Sequence, residues 1–176
     1  NAHALARYAS SCQQNGIVPI VEPEILMNGE HSIEDSFIVS EEVLHTVFYE
    51  LYSQNVELEG MVLKPNMVLS GYDCSTQASI EQVASYTVTV FKRCVPAAVT
   101  GIAFLSGGQS DEHATAHLNA MNKLLGNSSP WNLTFSYGRA LQAPALKLWN
   151  GKDENISKAQ DAFYKRAKLN SLATKG

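Results

Sequence analysis

The sequence predicts an α/β fold built on a parallel sheet, and three observations predict it. Four short apolar stretches alternate with helical patterns of twelve or more residues. The stretches are nearly continuous in Val, Ile, Leu and Phe, which marks strands buried on both faces. Polar strand-end residues, Glu22, Lys64, Ser106 and Arg139, follow one another at intervals of 42, 42 and 33 residues, which suits repeated strand-helix units with loop insertions.

A helical pattern opens the chain without a start signal, because Leu5, Tyr8, Ala9 and Cys12 already fall at helical spacing. Asn15-Gly16 stops it. Ile17 to Glu22 then reads as a short apolar strand. After the loop Met27-Asn28-Gly29-Glu30-His31, a helix is expected from about Ser36 to Gln54, with Val39, Val43, Leu44, Val47, Phe48 and Leu51 as its apolar stripe. Leu58 to Val62 is the next strand, ending at Lys64-Pro65. Thr76 to Arg93 reads as a helix with Ile80, Val83, Tyr86, Thr87, Val90 and Phe91 inward, and Pro96 marks its exit. Thr100 to Leu105 is the third strand. Ser110 to Leu125 is the helix after it, with Asp111 and Glu112 favourable in the first turn. Leu133 to Ser136 is the fourth strand, and helices follow at about Gln142 to Leu148 and Lys158 to Leu172.

Parallel strands joined by helices imply right-handed crossovers, and so either a closed barrel or an open doubly wound sheet. The first strand-to-helix turn lacks a glycine fingerprint for a dinucleotide. The preferred reading is therefore a parallel (β/α)8 TIM barrel; a full barrel takes about 250 residues, so residues 1–176 supply four units, half of one. Such a half-barrel is expected to leave edges at the strands of Ile17 to Val21 and Leu133 to Phe135, and to expose the inward faces of Val62, Ile102 and Phe104.

Composition limits the function classes. The 176 residues carry a net charge of −4, are 45% hydrophobic and 17% charged, as in an ordinary globular domain. Basic residues form no run longer than Lys92-Arg93 and Lys165-Arg166, which argues against nucleic acid or anionic membrane as partner. No apolar stretch approaches a membrane span, and Asn1-Ala2-His3-Ala4 has neither the basic nor the apolar region of a signal peptide. Cys12, Cys74 and Cys94 make an odd count without Cys-x-x-Cys spacing, so neither a disulfide framework nor a zinc knuckle is expected and a reducing, cytoplasmic setting fits best.

Lys64 lies at the carboxyl end of an apolar strand, where barrel enzymes keep their active sites. A lysine near pKa 10.4 is neutral in about one molecule per 2,500 at pH 7, and one lowered to about 8 by desolvation in roughly a tenth. That shift makes a Schiff-base nucleophile. The alternative is a strand-end lysine whose ammonium reaches solvent. Glu22 and Glu24, two apart across Pro23, point the same way in extended geometry and suit a general acid or base, which imine formation needs to expel water. Ser106-Gly107-Gly108 opens a helix with backbone amides able to approach an anion. Ser136-Tyr137-Gly138-Arg139 does the same after the fourth strand and adds a guanidinium fork for phosphate. His113 and His117 have the one-turn spacing of zinc helices but no obvious third ligand, so surface histidines are expected. Trp131 and Trp149 read as packing residues.

Four motifs carry a resemblance: Val18-Pro19-Ile20-Val21-Glu22-Pro23-Glu24-Ile25; Leu58-Glu59-Gly60 with Leu63-Lys64-Pro65-Asn66-Met67-Val68; Phe104-Leu105-Ser106-Gly107-Gly108-Gln109-Ser110; and Leu133-Thr134-Phe135-Ser136-Tyr137-Gly138-Arg139-Ala140-Leu141-Gln142. In this order and spacing the chain resembles class I fructose-bisphosphate aldolase over its whole length, which implies that its four units are about the last four of the barrel. The resemblance implies a glycolytic and gluconeogenic lyase that reversibly cleaves fructose 1,6-bisphosphate to dihydroxyacetone phosphate and glyceraldehyde 3-phosphate. It implies Lys64 as the Schiff-base lysine, Glu22 as the acid/base of imine formation and Glu24 as a supporting acid. Ser106, Gly107 and Gly108 would meet the C1-phosphate, with Ser136, Gly138 and Arg139 as the other half of that site. No metal or other cofactor is implied. A cytoplasmic homotetramer and cytoskeletal partners are.

The family's four earlier strands bring the aspartate of carbon–carbon cleavage, two further lysines and the C6-phosphate contacts, and its tail ends in tyrosine. None of these has a counterpart here, so the segment is expected to be part of a longer protein and inactive alone. The small insertion around Gly126-Asn127-Ser128-Ser129 is a loop difference. Two other readings stand beside this one: a non-catalytic half-barrel or protein-interaction module, and a metal-dependent phosphosugar enzyme using His113 and His117.

Overall fold

The computed structural model describes residues 1–176. A single four-stranded parallel sheet runs in the order β1 (Ile20–Val21), β2 (Val62–Leu63), β3 (Gly101–Phe104) and β4 (Asn132–Phe135). The intervening helices are α2 (Ile33–Ser53), α3 (Ile80–Cys94) and α4 (Asp111–Leu125); α1 (Ala2–Gln14) precedes the sheet and α5 (Arg139–Trp149) and α6 (Ile156–Ala173) follow it. As expected, β1 and β4 are the edges.

Burial alternates along the strands. Val21, Leu63, Ile102, Phe104 and Leu133 are buried, whereas Ile20 is 49% exposed and Val62, Gly101, Ala103 and Thr134 are only partly covered. One face of the sheet therefore packs on the helices and the other stays open, which is the layering of a barrel wall. This corrects two expectations. The strands are not buried on both faces, and Ile102 and Phe104 point outward to the helices; only Val62 of the three named residues lies on the inner face. Phe104 stacks on Phe91 of α3, with ring centroids 5.5 Å apart, and Phe91 meets Trp131 edge to face at 6.4 Å. Each aromatic pair contributes about 0.5–1.5 kcal/mol beyond its buried area.

Strand bounds also shift. Ile17 and Val18 are exposed and lie outside β1, and Leu58–Gly60 forms one 3-10 turn instead of opening a strand. β1 is regular over two residues, the same length as its partner β2, with Ile20 level with Val62 and Val21 with Leu63. Helix starts are set by caps. Ser32 accepts from the Asp35 amide at 3.1 Å while the Asp35 carboxylate accepts from the Ser32 amide at 3.0 Å, so α2 begins three residues before the expected Ser36. Ser79 and Gln82 form the same reciprocal box and delay α3 from Thr76 to Ile80. On α2 the buried face is Ile33, Ser36, Ser40, Leu44, Val47, Phe48 and Leu51, and Val39 is exposed. On α1 the buried positions are Ala6 and Ala9, with Tyr8 turned outward.

Arg166 ties α6 to the start of α4, its guanidinium 3.2 Å from the Asp111 carboxylate and donating also to the Thr115 hydroxyl. Trp131 is buried and its indole N–H donates to the Pro96 carbonyl at 3.0 Å; Trp149, expected to pack, is 41% exposed. All three cysteines are free thiols, and no helix is long and apolar enough to cross a membrane.

Candidate active site

The parallel register decides which side chains meet. Val21 is level with Leu63, so Glu22 and Lys64, one residue further along, emerge side by side at the carboxyl ends of β1 and β2. Alternation from Ile20 and Val62 places both on the open inner face. Lys64 Nζ lies 3.0 Å from Glu22 Oε1, with the lysine side chain 21% and the glutamate 43% exposed. The backbone ladder continues past the strands: Lys64 N–H donates to Val21, Leu105 to Pro65 and Ser136 to Phe104, at 2.8, 3.1 and 2.8 Å. These bonds fix the four segments bearing the motifs against one another.

Glu24 is exposed and makes no bond to Lys64. It lines a cavity of about 870 Å³ together with Glu22, Leu5 and Val43, and its charge is felt at Tyr72. The two glutamates border one cavity together with Pro23 between them, and only Glu22 reaches the lysine.

Ser106 is buried, and Gly107 and Gly108 adopt φ of 58° and 87°. That region favours glycine. A Cβ on Gly108 would also fall 2.7 Å from the Tyr72 hydroxyl, so a side chain there would have to displace the Tyr72 ring as well as adopt a strained φ. Burial pushes the Tyr72 phenol up, with Arg139 pulling it down and Glu24 pushing it up. Tyr72 therefore stands within electrostatic reach of both the glutamate and the arginine. Gly138 caps α5, and Arg139 is its first residue, exposed and in no ion pair. Leu141 and Gln142 both donate to the Gly138 carbonyl, at 3.1 and 3.0 Å, so the amides left as donors beside that guanidinium are those of Arg139 and Ala140. Ser136 is half-buried on the inner face, level with the continuation of β3.

Two positioning groups carried no assignment in the sequence reading. Asn66 is buried; its Oδ1 accepts from the Ile25 amide and its Nδ2 donates to the Met67 carbonyl, both at 3.0 Å. It fastens the segment after Glu24 to the segment after Lys64. Gln109 donates to the Ser106 carbonyl at 3.1 Å and accepts from His117 Nδ1 at 2.6 Å. A polar residue in a run of apolar ones, as Asn66 is, was the available signal; nothing local marks Tyr72. His117 departs from expectation because it is buried, and burial, with His113 beside it, pushes its imidazole down to about 4. No third His, Cys, Asp or Glu joins this pair.

The class-I fructose-bisphosphate aldolase family model matches residues 1–176. The chain is 57% identical over 178 residues to a probable fructose-bisphosphate aldolase class 1 of Xanthomonas campestris pv. campestris, covering all of this chain and 52% of that protein. It is 57% identical to fructose-bisphosphate aldolase B of Gallus gallus and 56% to cytosolic fructose-bisphosphate aldolase 4 of Arabidopsis thaliana, covering all of this chain and 48% and 44% of theirs. Fructose-bisphosphate aldolase from Plasmodium falciparum, solved with TRAP and a small-molecule inhibitor, superposes with a TM-score of 0.95 at 53% identity, over 99% of this chain and 50% of its own. The chain spans about half the length of the curated relatives it matches.

Proposed function

The chain belongs to the class-I fructose-bisphosphate aldolase family and forms part of its TIM barrel, and on that premise we propose that the protein containing it cleaves fructose 1,6-bisphosphate reversibly through an imine on Lys64. The observation that carries this reading is the Glu22–Lys64 pair at the carboxyl ends of neighbouring strands, on the open inner face.

The lysine amine attacks the C2 carbonyl, and Glu22, 3.0 Å away, moves the protons that let the carbinolamine oxygen leave as water. A base outside residues 1–176 takes the C4 hydroxyl proton while the resulting iminium accepts the electron pair of the C3–C4 bond as an enamine, and glyceraldehyde 3-phosphate departs. Protonation of the enamine at C3 and hydrolysis of the imine return dihydroxyacetone phosphate and the free amine. Through this cycle the C1-phosphate is held by the turn of Ser106, Gly107 and Gly108 and by Ser136, Gly138 and Arg139. The positive-φ glycines aim backbone amides, α5 adds its amino end, and Arg139 supplies a charge-assisted fork. Glu24 supports from beside Tyr72. Protein groups outside residues 1–176 complete the aldehyde-releasing half of the site.

The reading extends to a glycolytic, cytoplasmic homotetramer with a phosphorylated sugar as substrate and with cytoskeletal partners. The test is cleavage of fructose 1,6-bisphosphate by the full-length protein, with Lys64→Met as the neutral variant of similar length. Loss of turnover with phosphate-ligand binding retained fits the proposal; retained turnover overturns it.

A further inference from the structure

The pair His113 and His117 lies outside the chemistry proposed above, on the far side of Gln109 from Ser106. One turn of α4 separates them, and their rings stand 5.9 Å apart between centroids, tilted by 31°. A metal about 2.1 Å from one nitrogen of each of two rings holds their centroids roughly 5–6 Å apart at tetrahedral or slightly wider angles. The observed centroid separation falls in that range.

Hydrogen bonding determines which nitrogen is free. Gln109 Nε2 donates to the Ser106 carbonyl, so its Oε1 is the atom facing His117 Nδ1 at 2.6 Å. An oxygen can only accept. The ring proton is therefore on Nδ1, and Nε2 keeps its lone pair. A ligating histidine is typically oriented in this way, through a bond from its other nitrogen. Both imidazoles line a cavity of about 550 Å³ between the starts of α3 and α4, shared with Ser79, Glu81 and Ser110. The positive end of α4 opposes a cation there, and the carboxylate of Glu81, which lines the same cavity, offsets it.

We propose that His113 and His117 form a two-histidine site for a divalent transition metal of the zinc class, separate from the imine chemistry. With no third protein ligand in place, water fills the remaining positions, and the metal exchanges with solvent. Imidazole ligands select zinc, copper and nickel over magnesium.

The experiment is calorimetric titration of the full-length protein, stripped with chelator, with Zn²⁺ alone and with Mg²⁺ alone. The expected result is one saturable Zn²⁺ equivalent per chain and none for Mg²⁺. His113→Ala, at an exposed position, should weaken that equivalent by tenfold or more, and His45→Ala should leave it unchanged. Gln109→Ala, which frees the His117 ring, should weaken it about 10–100-fold. The absence of a saturable equivalent, or its survival at full affinity in His113→Ala, would overturn the proposal. The readout is independent of aldol cleavage, so it stands or falls separately from the proposed function.

Discussion

Lys64 Nζ and Glu22 Oε1 are 3.0 Å apart although 42 residues separate them in sequence. The parallel register of β1 with β2 accounts for the contact, because each residue is the first beyond its own strand on the same face. Glu22→Gln keeps size and hydrogen bonding and removes the proton acceptor. It should slow imine formation by about 10² or more while leaving Lys64 able to be trapped. Rapid-quench kinetics on the full-length protein measures this, and unchanged turnover would exclude the role given to Glu22.

Arg139 has no carboxylate partner and stands at the amino end of α5. A hydrogen bond to a charged group is worth about 1.5–3 kcal/mol, or roughly 10–150-fold in affinity. Arg139→Ala should therefore weaken dihydroxyacetone phosphate by that factor and hardly affect unphosphorylated dihydroxyacetone. Inhibition constants for the two ligands decide it; equal losses would place the phosphate elsewhere.

Cys94 is buried between α3 and α2, with its Sγ 3.5 Å from His45 Nε2. Burial, with Glu41 adding to it, pushes the thiol up to about 11. The thiolate is the reactive species, so at pH 8 only about one molecule in a thousand is reactive there, against about a quarter for a free cysteine. Labelling with iodoacetamide, followed by peptide mass spectrometry, should modify Cys94 last of the three cysteines, with a rate that rises towards pH 11. Labelling of Cys94 first at pH 8 would contradict this.

Residues 1–176 alone should self-associate and lack aldol cleavage. Ile17, Val18 and Ile20 are exposed beside the β1 edge, which has no strand to pair with on its outer side. Unpaired edges and open apolar faces seek partners. Size-exclusion chromatography with a cleavage assay tests it, and an active monomer would show that these residues suffice.

The order of elements was legible because hydrophobic periodicity and punctuation sit in the local sequence. The face each strand turns to the helices was not. Ile102 and Phe104 are as apolar as an inner layer would be, and only the register and helix packing show that they point outward. Ser32 and Asp35 were a readable cap that differs from the usual Ser-x-x-Glu form. At the site, Lys64, Glu22, Ser106 and Arg139 stood out as polar residues at strand ends. Asn66 reaches the Ile25 amide across 41 residues and Gln109 reaches His117 across eight, and a linear reading cannot see those partners.

Borohydride reduction of the full-length protein in the presence of dihydroxyacetone phosphate, followed by peptide mapping, tests the imine on Lys64 most directly. The expected result is one stable adduct, on Lys64, formed only when ligand and reductant are both present and lost in Lys64→Met. An adduct on Lys147 or Lys152 instead, or none on any lysine of a protein that still cleaves fructose 1,6-bisphosphate, would contradict it.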